Sequence, residues 1–172
     1  MKKSLTKTIK YYLDKLENNY KYETIFFREN NELFFTKKVI LVEWPIEKVC
    51  LPILLEKCNL QNLLKEFTII PTNGKWNMQH FQLICKTFWI EYFSLFDADR
   101  EPIIKWMNRY ILDRTYENHS FYFKKSFEKA ITIKNGKNKA SKTIHQILNL
   151  EKEDFPNEYI EMIEKIKLFL KK

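Results

Sequence analysis

Tyr22–Pro45, YETIFFRENNELFFTKKVILVEWP, is the stretch on which the reading of the fold turns. Aromatic and β-branched residues crowd both sides of Glu29-Asn30-Asn31-Glu32, a polar tetrad in which asparagine tolerates a positive φ. The pattern predicts a β-hairpin with strands near 22–28 and 33–43, the second ended by Pro45. A short third strand at 67–70, just before Pro71, can join it.

Outward from the hairpin, the apolar spacing is helical. Leu5, Ile9, Tyr12, Leu13 and Leu16 make one stripe over 4–18. A helix from about 52 to 66 follows the hairpin, with Pro52 tolerated at its first turn. Thr72-Asn73-Gly74-Lys75 is the clearest loop. Beyond it, Phe81, Ile84, Cys85, Phe88, Trp89, Tyr92, Phe93 and Phe96 recur at three- and four-residue steps, which predicts a central core helix over Trp76–Phe96. Asp97 or Asp99 can cap the next helix, with Pro102 in its first turn and Ile103, Trp106, Met107, Tyr110 and Ile111 buried. Residues 120–133 fit a helix better than a strand, 134–139 form a basic loop, Lys142–Leu150 a short helix and Asn157–Leu170 a last amphipathic helix. The sum is one domain over 1–172, of α+β class and predominantly helical, with an N-terminal β-hairpin packed on a helical bundle.

Composition narrows the chemistry. The chain has 172 residues, 45% hydrophobic and 30% charged, the balance of a globular protein with one core. Its two glycines, Gly74 and Gly136, exclude a Walker loop, a dinucleotide fingerprint and a glycine-rich nucleophile elbow. Cys50, Cys58 and Cys85 have neither disulfide nor zinc-finger spacing and read as thiols of a reducing compartment. The N-terminus has no apolar core of a signal peptide, and no uncharged run approaches the ~20 residues of a membrane span. A cytoplasmic protein without membrane contact is expected.

The net charge of +8 is unevenly placed. Two stretches, 1–21 and 124–142, carry it, while the remainder is close to neutral. Lysines position nucleic acid through its phosphates, so Lys124, Lys125, Lys129, Lys134, Lys137, Lys139 and Lys142 are the candidate nucleic-acid contacts. For single strands, accessible aromatics supply stacking, and Tyr122, Phe123 and Phe127 lie among these lysines.

Three histidines limit catalytic arrangements. His80 reads as a core or boundary residue and His145 as a surface one. Arg114-Thr115-Tyr116-Glu117-Asn118-His119 resembles the Arg-x(4–6)-His signature of HEPN-type ribonucleases. The resemblance implies a helical bundle, a dimer and metal-free RNA cleavage, with Arg114 stabilising phosphate charge and His119 transferring protons. Asp97/Asp99 and Glu151/Glu153/Asp154 stand at helix boundaries, where capping accounts for them. No metal site and no cofactor are expected.

These observations favour a small basic, non-catalytic binding protein, compatible with a phage or mobile-element source. Its partner would be RNA or DNA, or a protein complex that processes nucleic acid. Two alternatives stand beside it: a HEPN-like ribonuclease using Arg114 and His119, and a structural subunit or inhibitor docking through the aromatic hairpin.

Overall fold

The structure is a computed structural model that describes residues 28–98, 102–116, 118–131 and 139–171. Leu33–Lys172 makes one compact unit. Its centre is a four-stranded sheet built from β1 (Lys38–Val42), β2 (Thr68–Pro71), β3 (Glu91–Asp97) and β4 (Ser120–Phe123) in the order β2-β1-β3-β4. Every neighbouring pair is parallel, with Ile40 opposite Ile69 and Phe93, and Leu95 opposite Phe121.

Parallel strands need crossovers, and helices supply them. After β1 comes α1 (Pro45–Lys57), then a 3-10 turn at Gln61–Lys65; after β2 comes α2 (Lys75–Thr87); after β3 comes α3 (Pro102–Leu112). β4 leads through a 3-10 turn at Glu128–Ile131 to α4 (Lys139–Asn149) and α5 (Asn157–Leu170).

The expected α+β hairpin on a helical bundle is therefore replaced by an α/β fold with a parallel sheet. Residues 28–35, expected to hold the hairpin turn, form a 3-10 helix. The strand expected at 33–43 shrinks to Lys38–Val42, and its partners are β2 and β3. The run Val39–Val42 is wholly buried, without the alternation of a half-exposed hairpin. A continuous apolar run of this kind belongs to a strand covered on both faces. The helix at 4–18 and the first expected strand up to residue 27 lie outside the described residues.

Three further expectations shift for related reasons. The single helix expected over Trp76–Phe96 is α2 followed by β3, broken where Trp89 adopts a left-handed φ of 59°. Phe88 and Trp89, placed on its buried stripe, are exposed. The segment 120–133 opens as β4 rather than as a helix, and the helix expected from residue 52 begins at Pro45 and carries Pro52 inside it. The short strand before Pro71 and the bounds of α5 are as expected.

One core joins the sheet to α1 and α5. Ile40, Val42, Phe93, Leu95, Phe121 and Phe123 pack with Leu51, Leu54, Leu55, Tyr159, Met162 and Ile166. The aromatic rings of Phe123, Phe127 and Tyr159 meet at 5.2–5.7 Å, and the Tyr159 hydroxyl donates to the Phe127 carbonyl at 3.0 Å. Lys38 donates to the Leu170 carbonyl at 2.9 Å, placing a cation at the negative end of α5. Among the described residues, no helix is long and apolar enough to cross a membrane.

Candidate functional site

In an open parallel sheet the strand order reverses at one point, and the two adjacent crossovers leave in opposite directions there. A crevice opens at the carboxyl ends of those strands. Here the reversal falls between β1 and β3. Glu43 directly follows β1, and Asp97 ends β3.

Both acids are buried, at 5% and 7% exposure. Burial of acids is uncommon unless they are paired or hydrogen-bonded. Oε2 of Glu43 accepts the Asp97 backbone N–H at 3.1 Å and lies 3.9 Å from the Lys75 ammonium, itself buried. Oδ1 of Asp97 accepts the Phe127 N–H at 2.8 Å. The ammonium also stands 5.9 Å from the Phe96 ring centroid. Two carboxylates and a cation thus face one cavity of about 410 Å³, lined by Glu43, Trp44, Gly74, Lys75, Trp76 and Asp97 with Asn73 and Met107.

Asn73, Gly74 and Lys75 of the loop 72–75 line one side of the crevice. Gly74 has φ +110°, a conformation that strains residues with a Cβ. Its N–H donates to the Glu43 carbonyl at 2.8 Å, while the Thr72 hydroxyl donates to the Val42 carbonyl at 3.0 Å. The turn is thereby fastened to the backbone that presents Glu43. Both α1 and α2 begin at this edge of the sheet, so their positive ends favour an anion there.

A third acid supports the site from beneath. Glu47, in the first turn of α1, reaches back so that its Oε2 accepts the Trp44 N–H at 2.9 Å. Burial pushes the Glu47 carboxyl up to about 9, and the nearby charges of Asp97 and Glu43 act in the same direction. Burial thus favours the protonated form of this carboxyl at neutral pH.

Asp97, expected to cap a helix, has a different role, and neither Glu43 nor Lys75 stands out in the sequence as a functional residue. The structure places Asp97 at a strand end; Asp99 lies outside the described residues. The missed signal was an acid directly after each of two β-rich runs, VILV-Glu43 and FSLF-Asp97. It becomes visible only once both runs are recognised as parallel strands.

The candidate lysines separate by position. Lys124, Lys125 and Lys129 follow the carboxyl end of β4, on the segment tied to Asp97 through the Phe127 N–H, and all three are exposed. Lys142 is exposed on α4, whose first residue is Lys139. Lys134 and Lys137 lie outside the described residues. Of the aromatics paired with these lysines, Phe123 and Phe127 are buried and Tyr122 is half-exposed.

Arg114 and His119 lie at the opposite, amino edge. Arg114 is stacked 3.2 Å above the Tyr110 ring centroid, and its carbonyl accepts the Tyr92 hydroxyl. His119, directly before β4, is buried with its ring against Tyr116 and Phe169. The fold keeps both away from the carboxylate crevice.

The segment that carries the crevice has a counterpart among known families. Residues 34–99 match the family model for the TOPRIM domain of overcoming lysogenization defect protein-like proteins. This TOPRIM-like segment runs from the turn before β1 to just beyond β3, so it includes Glu43, Lys75 and Asp97. Among solved structures, the C-terminal region of the Burkholderia pseudomallei OLD protein is similar at 15% identity. That comparison covers 79% of this chain and 86% of the other, with a TM-score of 0.45. The C-terminal region of the Xanthomonas campestris pv. campestris OLD protein is similar at 12% identity, over 78% and 95% of the two chains, with a TM-score of 0.48. No curated protein sequence matches the chain significantly.

Proposed function

We propose that this chain acts on nucleic-acid phosphodiesters at the crevice between β1 and β3, using a divalent cation. The observation that carries the reading is the convergence of Glu43 and Asp97 from two parallel strands onto one cavity. TOPRIM domains act on nucleic acids, and the TOPRIM-like segment contains both acids.

The donor set fits a hard cation. Carboxylate oxygens suit magnesium or manganese. Among the described residues no group of three His, Cys, Asp or Glu side chains is arranged to hold a metal ion. Magnesium does not require such a cage: one or two carboxylates commonly hold it together with water and substrate phosphate. Glu43 and Asp97 would supply those two. A bound divalent ion would polarise a phosphoryl oxygen and favour attack by water.

The remaining work falls to the chain's own residues. Lys75, which lines the cavity 3.9 Å from Oε2 of Glu43, offsets carboxylate charge and can attract a phosphate once the cation occupies the acids. The starts of α1 and α2 add favourable dipole ends. Lys124, Lys125 and Lys129, beyond the end of β4, would track the phosphate backbone away from the crevice. This reading replaces the non-catalytic binder with an enzyme and keeps nucleic acid as the partner.

The test is cleavage or nicking of plasmid DNA and labelled RNA with magnesium, manganese or EDTA, beside Glu43→Gln and Asp97→Asn. Activity that needs the divalent ion and falls at least 100-fold in both variants, roughly the size of a lost charge-stabilising contact, supports the reading. Activity retained in EDTA, or in both folded variants, overturns it; so does inactivity of the wild type on every substrate.

A further inference from the structure

We infer that an aromatic track beside the crevice selects unpaired nucleobases, which makes single-stranded or locally opened nucleic acid the substrate class. The inference rests on the proposed function for the identity of the polymer, and adds which form of it is taken.

Three of the chain's four tryptophans gather here. Trp44 and Trp76 line the crevice and are 45% and 53% exposed. Trp106 on α3, 57% exposed, lies 6.5 Å from Trp76 between ring centroids, and Tyr110 follows at 5.4 Å from Trp106. The row thus runs from the crevice down α3 toward the amino edge, where the Arg114 guanidinium covers the Tyr110 ring and ends it. Trp106, expected on the buried stripe of its helix, is exposed, and among the described side chains of α3 Met107 and Ile111 are the buried ones.

A contiguous row of half-exposed indoles is costly on a protein surface unless it meets a partner. Its continuity with the crevice identifies the occupant. A backbone whose phosphate enters between Glu43, Asp97 and Lys75 carries its neighbouring nucleotides past Trp44 and Trp76. A paired duplex buries its base faces in its own stack, so only unpaired bases can use these rings. Exposed Lys105 and Arg109 on α3 supply positive charge along the same helix, Arg109 shared with Asp113 at 4.0 Å. Stacking on such platforms tolerates any base, which predicts little sequence preference.

Binding measured both in EDTA and with calcium present to occupy the acids separates this inference from catalysis. Full-length protein is titrated with labelled oligothymidylate and oligouridylate of about 20 nucleotides, long enough to span a typical single-strand site, and with a duplex of equal length. Tryptophan quenching and anisotropy are followed together. Single strands should bind at least ten-fold more tightly than duplex. Trp76→Ala and Trp106→Ala should each weaken single-strand binding by about ten-fold, the size of one lost stacking contact. Trp106→Phe should restore most of it, and Trp89→Ala, on the turn before β3, should change nothing. Equal affinity for duplex and single strand, or wild-type affinity in both alanine variants, overturns the track even if cation-dependent cleavage is found. Loss of cleavage in Glu43→Gln with the strand preference intact leaves the track standing.

Discussion

The ammonium of Lys75 lies 3.9 Å from Oε2 of Glu43, and both side chains are almost fully withdrawn from water. Such a pair contributes little net stability, because desolvating two charges offsets their attraction, but removing one partner strands the other. Lys75→Met should therefore destabilise the fold by about 3–5 kcal/mol, and adding Glu43→Leu should recover a large part of that loss. Urea unfolding of the wild type, both single variants and the double variant measures the coupling. Additive effects would mean that the two charges do not interact.

Stability should fall with rising pH through Glu47. Its carboxyl has an ordinary value of 4.5 and is pushed up to about 9 by burial in the fold. Between those values the folded chain holds a proton that the unfolded chain has released, so this group's contribution declines as pH rises and levels off above about 9. The slope has a ceiling of about 1.4 kcal/mol per pH unit. Glu47→Gln keeps an oxygen for the Trp44 N–H and cannot ionise. Its urea midpoint should vary less between pH 6 and pH 8 than that of the wild type, and parallel curves would refute the assignment.

Changing Lys124, Lys125 and Lys129 together to glutamate should weaken nucleic-acid binding without reducing stability. Each phosphate contact contributes about 0.7 to the slope of log affinity against log salt for single strands and about 0.9 for duplex DNA. A triple variant should lose roughly 2 from that slope. An unchanged slope would remove these lysines from the binding path.

His119→Ala should act on stability and leave the crevice chemistry alone. The ring is buried 4.9 Å from that of Phe169, so truncation opens space beneath α5 and should cost about 1–3 kcal/mol. Divalent-dependent cleavage per folded molecule should match the wild type. Cleavage abolished at unchanged stability would instead support a role for Arg114 and His119 in proton transfer and phosphate binding.

Local structure was legible wherever a short segment carries its own instructions. Asn157–Leu170 is helical because its apolar residues repeat at helical spacing, and Thr72-Asn73-Gly74 is a turn because asparagine and glycine accept positive φ there. The strand at Thr68–Pro71 was legible from the β-branched pair before a proline. At Trp76–Phe96 the helical period continued past the true end of α2, and only the left-handed residue Trp89 marks where the chain turns into β3. Sequence spacing cannot distinguish a buried helix face from a buried strand when both surfaces are apolar.

The sequence by itself determined the balance of apolar and charged residues, the absence of glycine-loop chemistry, the lysine-rich stretch at 124–142 and the turn that ends in Gly74. Only the tertiary structure decided that Lys38–Val42 pairs in parallel with Thr68–Pro71 and Glu91–Asp97, and hence that Glu43 and Asp97, 54 positions apart, share one crevice. The physical reason is that strand direction and partner choice are non-local. A run such as Val-Ile-Leu-Val states that it will be buried, whereas its partners depend on which distant segments bury their own apolar surface against it.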